Sequence, residues 1–234
     1  MAHLLRDRHE AGQILGAKLA AYQRMPHTLI LAIPPGGVPV AAAVASMLDL
    51  PMDSVLVQKL HVPGYEDEPV GAVAMGGVCV LNHAAVQQLQ IPDQLIDAAA
   101  AAAHQELTQR EHYYRAGRPP PILGRQTVIL IDDDLITGWT LRAAAAAVRT
   151  QQPDRVVAAI PIAAAHAHDA LGGAIDEWVA ALMPESDAPI DHWYRQRAPV
   201  SDDEVRAILE RAARTQPLQR DQSIPAAGEQ RAGE

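Results

Sequence analysis

The sequence has little cysteine and no long apolar run, and each of these absences narrows the class of protein. Cys79 is the single cysteine among 234 residues, which excludes an intramolecular disulfide and is typical of a reducing compartment. No stretch approaches the roughly 20 uninterrupted apolar residues of a membrane span. The opening residues MAHLLRDRHEAG also lack the apolar core of a secretory signal. We therefore predict a cytoplasmic protein that has no membrane partner.

Positive charge is also scarce, because 19 lysines and arginines stand against 28 acidic residues and give a formal net charge of −9. Such a balance disfavours a nucleic-acid partner, although it leaves room for a local basic pocket. The length and a hydrophobic content of 49% suffice for one α/β domain or two small ones. We predict one domain over residues 1–214. Because the composition then turns polar, with glycine and proline, we predict a disordered tail over residues 215–234.

Short apolar runs alternate with helical patterns along the chain. The predicted strands cover residues 28–33, 53–60, 127–131, 155–160 and 177–182, and a hairpin has its turn near residues 76 and 77. The predicted helices cover residues 11–19, 38–48, 92–114 and 139–149, and a last one starts at residue 201. This alternation predicts an α/β fold with a mostly parallel sheet flanked by helices. Ligands bind such sheets beyond the carboxyl ends of the strands.

One of these strand ends carries an unusual group of residues, in the stretch VILIDDDLITGWT over residues 128–140. The helix that follows has free backbone amides at its start, and hydroxyls and a glycine beside them form a cradle for phosphate. The neighbouring acids cannot bind phosphate, but they suit sugar hydroxyls or an oxygen coordinated to Mg²⁺. The combination therefore indicates a phosphorylated ribose. Taken alone, the stretch also fits a solvated turn in which Thr137 caps a helix.

The same stretch resembles the ribose-phosphate motif of type I phosphoribosyltransferases, in which an apolar strand leads to two acids and then a threonine-glycine loop. Further segments resemble, in order, a bacterial subfamily of these proteins: LLRDRHEAGQILGAKL, AIPPGGVPVAAAVASML, VQKLHVPGYEDEPVGAVAMGG and WYRQRAPVSDDEVRAIL. The resemblance covers residues 6–211. It implies the fold of that family, with a small hood built from the chain ends.

The resemblance also implies an activity, the Mg²⁺-dependent transfer of phosphoribose from phosphoribosyl pyrophosphate to a nitrogenous acceptor. It assigns the catalytic contacts with the ribose hydroxyls to Asp132 and Asp133, while the Mg²⁺ ion is held mainly by the substrate. It assigns substrate binding to two groups. These are Pro35, Gly36, Gly37 and Lys59 on the pyrophosphate side, and Asp134, Leu135, Ile136, Thr137, Gly138, Trp139 and Thr140 on the 5-phosphate side.

The chain departs from the subfamily mainly on the pyrophosphate side. Pro35 and Gln58 stand where the subfamily has arginines. A charge-assisted hydrogen bond is worth about 1.5–3 kcal/mol, so two such losses would weaken pyrophosphate binding by orders of magnitude unless Lys59 and the glycines suffice. Asp134 replaces a glycine and Trp139 a small residue, and we interpret Trp139 as a cover of the helix start. In the stretch SDAPIDHWY over residues 186–194, the segment before the Trp-Tyr pair also lacks the aromatic residue and the glycine that the subfamily carries there.

Three functions remain open, and a phosphoribosyltransferase is favoured. The alternatives are a non-catalytic sensor of phosphoribosyl pyrophosphate or of a nucleoside monophosphate, and a hydrolase or phosphorylase that uses water or phosphate as the nucleophile.

The acceptor cannot be read from any motif. Trp193 or Tyr194 could stack on an acceptor base or could close a core. A homodimer is the default assembly. We interpret His166 and His168 as exposed, Cys79 as an inert core residue, and His61 and Glu68 as weaker site candidates.

Overall fold

A five-stranded parallel sheet forms the centre of the molecule, whose structure is a computed structural model. The structure describes residues 4–65, 69–135, 137–164, 169–184 and 190–216. The sheet has the strand order β2-β1-β6-β7-β8. Its strands are β1 (Thr28–Ala32), β2 (Met52–Ser54), β6 (Thr127–Ile131), β7 (Arg155–Ile162) and β8 (Glu177–Leu182). The predicted α/β fold with a parallel sheet is thereby confirmed.

A second, antiparallel sheet contains β3 (Val57–Leu60), β4 (Gly71–Ala74) and β5 (Val78–Leu81). It includes the predicted hairpin, whose turn holds Gly76 and Gly77 at φ values of 80° and 81°. The single strand predicted over residues 53–60 is wrong, because β2 and β3 belong to different sheets. A continuous apolar run cannot reveal such a break, since Val55 and Leu56 are buried between the two sheets just as strand residues would be.

Helices cover the parallel sheet. They are α1 (Arg8–Lys18), α2 (Gly37–Leu48), α3 (His83–Gln88), α4 (Asp93–Arg115), α5 (Trp139–Arg149) and α6 (Asp202–Thr215), with short 3₁₀ segments at Ala20–Tyr22, Asp169–Ala174 and Ile190–Trp193. The last helix starts as predicted, because the Ser201 side chain accepts a hydrogen bond from the Glu204 amide and three acids occupy its first turn. The short helix α3 was not predicted.

The two faces of the central sheet build two cores. On β6, Ile129 and Ile131 pack toward the helical layer that contains Leu15, Val44 and Ile208. Val128 and Leu130 alternate with them and pack toward α5 and the second sheet. This alternation follows from the two-residue period of a strand, and burial on both faces explains why β1 and β6 read as unbroken apolar runs.

The segment around Leu5, near the start of the described chain, pairs with the segment that precedes α6. The Leu5 amide donates to the Trp193 carbonyl over 2.9 Å, and the Arg195 amide donates to the Leu5 carbonyl over 2.8 Å. These are the segments from which a hood was expected.

None of the helices in the described ranges is both long enough and apolar enough to span a membrane. Cys79 is exposed, so its prediction as a core residue is wrong.

Candidate functional site

Two loops leave adjacent strand ends and define the site. Ala32 of β1 and Ile131 of β6 are register partners, and the Ile33 amide donates to the Ile131 carbonyl over 2.8 Å. The loop with Pro34, Pro35 and Gly36 therefore starts beside the loop that carries the three aspartates. The peptide bond between Pro34 and Pro35 is cis. Parallel strands thus bring together two segments that lie almost 100 residues apart in the sequence.

Both glycines of the first loop are required by close approach to the second. A Cβ atom added to Gly36 would lie 2.3 Å from the Asp133 carboxyl group. A Cβ atom added to Gly37 would lie 2.6 Å from the Ile131 carbonyl oxygen. A larger residue at Gly36 would displace the Asp133 carboxyl group, and one at Gly37 would push the two loops apart, which explains the glycine pair without reference to a ligand.

A cleft of about 430 Å³ opens between these loops and the second sheet. Most residues that the sequence singled out line its wall: Pro35, Gly36, Lys59, Asp132, Asp133, Asp134, Leu135, Thr137, Gly138 and Thr140. Gly37 lies beneath the wall, against the end of β6. Ile136 and Glu68 lie outside the described residues, as do His166 and His168. The volume falls in the range of small-molecule sites.

One side of the cleft is formed by the start of α5. Gly138 is the residue before the helix and has a left-handed backbone with φ of 76°, which glycine adopts without strain. No side chain caps this helix. The Thr137 and Thr140 hydroxyls form no hydrogen bond with any other described residue, so the interpretation of Thr137 as a cap has no support in the structure. Free amides, two free hydroxyls and the positive end of the helix dipole together suit an anion.

The floor of the cleft carries the three acids. Burial raises the pKa of Asp132 well above its ordinary 3.8, and the charges of Asp133 and Asp134 raise it further. Burial and Asp133 also raise the pKa of Asp134, although Arg197 and Lys59 oppose that rise. Asp132 forms no ion pair within the described residues, and one of its oxygens accepts the Asp133 amide over 2.9 Å. The negative charge of Asp132 is therefore not compensated by a described cation, and a bound ligand or ion could compensate it.

Asp133 is bound by two arginines from opposite ends of the chain. One of its oxygens lies 2.8 Å from Nη2 and 2.9 Å from Nε of Arg8, and 3.0 Å from Nη2 of Arg197. Arg197 also pairs with Asp134. The Tyr194 hydroxyl donates to the Asp133 carbonyl over 3.2 Å. Most of the negative charge on Asp133 is thus compensated within the protein, unlike that on Asp132.

The opposite wall carries basic side chains that form no ion pair with a described acid. Lys59, His61 and Arg110 line the cleft, and within the described residues none of them forms an ion pair. Gln58 also lines this wall and donates its amide to Glu106 over 2.7 Å. The cleft is therefore polarised, with acids at its floor, a helix start on one side and cations on the other.

The aromatic residues considered for ligand contact pack against the protein instead. Trp139 does not line the cleft but rests on the core, with the Arg142 guanidinium carbon 4.7 Å from the ring centroid. Tyr194 is buried in a small cluster with Leu5 and Ile162, and Trp193 packs against it. The packing of Trp139 agrees with its interpretation as a cover of the helix start. Tyr194 and Trp193 close a core, which is one of the two roles left open for them by the sequence.

Three arginines of the site were not predicted from the sequence. Arg8 begins α1, Arg110 lies in α4 and Arg197 precedes α6, so none belongs to the two loops. Each was visible only as one arginine among many. Arg110 lies within the helix predicted over residues 92–114, where a charged side chain is normally solvated, and Arg8 and Arg197 lie outside the predicted elements. Only the folded arrangement brings the three side chains to the acids or the cleft.

Comparisons with known proteins identify the family and the fold of the chain. Residues 8–175 match the phosphoribosyl transferase domain family, which covers well over half of the chain. The chain therefore belongs to that family. The Mycobacterium tuberculosis H37Rv protein named "Putative phosphoribosyl transferase Rv0571c" is 37% identical over 211 residues, which is 90% of this chain. The solved structure of TT1426 from Thermus thermophilus is 34% identical in sequence and has a TM-score of 0.74. The match covers 89% of this chain and 98% of the TT1426 chain.

The mycobacterial relatives are longer proteins. The alignment covers 47% of their length, so the chain spans about half of the curated relatives that it matches. Membership in the family and the α/β fold follow from these matches, whereas the reaction, the acceptor and the assembly of this chain do not.

Proposed function

We propose that this chain is a phosphoribosyltransferase that binds phosphoribosyl pyrophosphate with Mg²⁺ and transfers phosphoribose to a nitrogenous acceptor. The observation that carries the proposal is the polarised cleft, in which a helix start with two free hydroxyls, an uncompensated acid and a basic wall face one ligand volume. A 5-phosphate, a ribose and a pyrophosphate need these three environments in this order. The match to the family supports the same conclusion.

In the proposed reaction, the acceptor nitrogen forms a bond with C1 of the ribose while the bond from C1 to the pyrophosphate oxygen breaks. The pyrophosphate leaves with the electron pair, and the proton of the acceptor nitrogen passes to the pyrophosphate or to water. Positive charge develops on the sugar ring, where Asp132 would stabilise it. The amides and hydroxyls of Thr137, Gly138 and Thr140 would hold the 5-phosphate and so fix C1 between the two partners.

The residues of the cleft fit an ion that enters with its substrate. Among the described residues no three His, Cys, Asp or Glu side chains form a group that could hold a metal. Mg²⁺ is usually bound by substrate phosphates together with one or two carboxylates and several waters. Asp132 would hold it through a coordinated water or a sugar oxygen. When bound, the ion would neutralise charge on the departing pyrophosphate.

A second candidate is a non-catalytic sensor of phosphoribosyl pyrophosphate or of a nucleoside monophosphate. The observation that favours it is the absence of a cation from the loop at Pro35, together with the use of Gln58 to bind Glu106. A sensor needs the 5-phosphate loop but no cleavable pyrophosphate. The two functions therefore differ in how strongly the protein prefers the pyrophosphate ligand.

The first experiment is a calorimetric titration with phosphoribosyl pyrophosphate, with and without Mg²⁺, beside ribose 5-phosphate and AMP. The proposal expects the pyrophosphate ligand to bind at least about tenfold more tightly than ribose 5-phosphate, and only with Mg²⁺. Equal or tighter binding of the two monophosphates would refute the transferase and favour the sensor. A variant with Thr137 and Thr140 both changed to alanine should weaken all three ligands, since all three carry the 5-phosphate.

A further inference from the structure

We propose that Arg110 of α4 supplies the pyrophosphate-binding cation that Pro35 and Gln58 no longer provide. The inference rests on the proposed function, because it concerns the anion side of the same cleft. Arg110 lines the cleft together with Pro34, Pro35 and Lys59. It also lines a smaller adjoining pocket that has Pro34 and Pro35 in its wall. The helix α4 thus places a cation, Arg110, beside the loop that carries Pro35 in place of an arginine.

Arg110 is available because its natural partner is engaged elsewhere. Glu106 lies four residues earlier on the same helix, the spacing and order at which a glutamate and an arginine pair best. In the structure Glu106 instead accepts the Gln58 side-chain amide over 2.7 Å. No ion pair joins Glu106 to Arg110 within the described residues. Gln58 therefore stands where the subfamily has a cation, and it also binds the Glu106 carboxylate that could otherwise pair with Arg110.

The orientation of the Gln58 amide follows from the same contact. A carboxylate only accepts hydrogen bonds, so the NH₂ group of Gln58 must face Glu106 and its carbonyl oxygen must point the other way. That oxygen is buried and has no partner among the described residues. It suits a donor on a ligand or a bound water rather than a phosphate oxygen. Arg110 and Lys59 are thus the groups on this wall that can hold an anion.

The other charged groups near Arg110 do not neutralise it. Asp202 lines the adjoining pocket with Arg110 and accepts the Tyr114 hydroxyl, but within the described residues it forms no ion pair with Arg110. Arg8 and Arg197, the remaining arginines close to the acids, are paired with Asp133 and Asp134. The positive charge that is free to meet a ligand in the described part of the cleft is therefore carried by Lys59 and Arg110, with the His61 side chain beside them.

The test compares Arg110→Ala with wild type in calorimetric titrations with magnesium pyrophosphate, phosphoribosyl pyrophosphate and ribose 5-phosphate. We expect the variant to bind the first two ligands about tenfold more weakly, as for loss of one charge-assisted hydrogen bond at an exposed site. Ribose 5-phosphate should bind unchanged. Arg211→Ala is the matched control, because Arg211 is an exposed arginine of α6 that does not line the cleft. It should match wild type for every ligand.

A second variant moves affinity in the opposite direction. Glu106→Gln keeps an acceptor for Gln58 but removes the acid four residues before Arg110 on the same helix, whereas the adjacent Glu111 is paired with Arg115. Pyrophosphate should then bind roughly two- to fivefold more tightly, the effect of one exposed charge pair. Weaker binding by this variant would overturn the inference, since Glu106 would then support the anion rather than compete with it.

The outcomes separate the inference from the function on which it rests. If Arg110→Ala binds pyrophosphate as wild type does, the inference is overturned while a transferase that prefers phosphoribosyl pyrophosphate still stands. If wild type does not bind pyrophosphate at all, the inference is also overturned. If wild type binds pyrophosphate through Arg110 but does not bind phosphoribosyl pyrophosphate, the assignment of Arg110 stands and the proposed function is refuted.

Discussion

Asp132 shows how a single residue of the site acts against stability. Its pKa is raised by burial and by Asp133 and Asp134. Because the folded-state pKa lies above that of the unfolded chain, the folded state binds the proton more tightly. The free energy of unfolding therefore falls as the pH rises from the unfolded pKa through the folded one. Such a cost is expected where a group is kept for a ligand rather than for folding.

We predict that Asp132→Asn is more stable than wild type at pH 7.5, by about 1 kcal/mol, the usual gain when a strained functional group is removed. The gain should shrink at pH 4.5, because the raised pKa of Asp132 makes the folded state take up the proton before the unfolded chain does. Urea unfolding at both pH values measures the difference. Asp49→Asn is the control, since hydrogen bonds from Arg24 and Gln216 lower the pKa of Asp49. A gain for Asp132→Asn that did not depend on pH would contradict the argument.

At the scale of elements, the loop after β1 and the loop after β6 form one fitted pair. Gly37 lies against the Ile131 carbonyl oxygen, which is backbone and cannot turn aside. Gly37→Ala should therefore displace the loop and cost about 1–3 kcal/mol, the range for overpacking. Gly173→Ala is the matched control, because nothing lies within 4 Å of an added Cβ atom there. Equal unfolding free energies for the two variants, measured in urea, would show that the loop yields without cost.

Most elements could be predicted from the sequence because their patterns are local. The apolar runs at β1 and β6, the Ser201 cap and the glycine turn between β4 and β5 each depend on neighbouring residues only. The division of residues 53–60 between two sheets was not predictable, since it depends on which strand each half meets. The three acids and the threonine-glycine loop that line the cleft could be singled out from the sequence because they are contiguous. Arg8, Arg110 and Arg197 were missed because their roles depend on long-range packing.

At the scale of the whole molecule, the chain closes on itself at the site. Arg8 and Arg197 are separated by almost the whole domain, yet both contact the same oxygen of Asp133. Arg8 also donates to the Ala198 carbonyl over 2.6 Å, and Leu5 forms a bridge with Tyr194. The side chains of Arg8 and Asp133 are 13% and 10% exposed, so this contact is more than a surface ion pair. Ordering of the site and joining of the chain ends should therefore be one cooperative event.

A double-mutant cycle on Arg8 and Arg197 tests this closure. Either arginine alone still compensates the buried Asp133 carboxylate, whereas removal of both leaves it without a cation, which is the costly state. We therefore predict that Arg8→Ala combined with Arg197→Ala destabilises the protein by about 1 kcal/mol more than the sum of the single changes, as measured by urea unfolding.

The matched cycle combines Arg24→Ala with Arg197→Ala. Arg24 pairs with Asp49 at an exposed position, with side chains 75% and 52% exposed, and shares no partner with Arg197. Its effect should add to that of Arg197 within about 0.5 kcal/mol. Additivity in both cycles would mean that Asp133 does not couple the two ends of the chain. An excess confined to the Arg8 cycle would establish that the acid predicted to touch the ribose also holds the molecule closed around it.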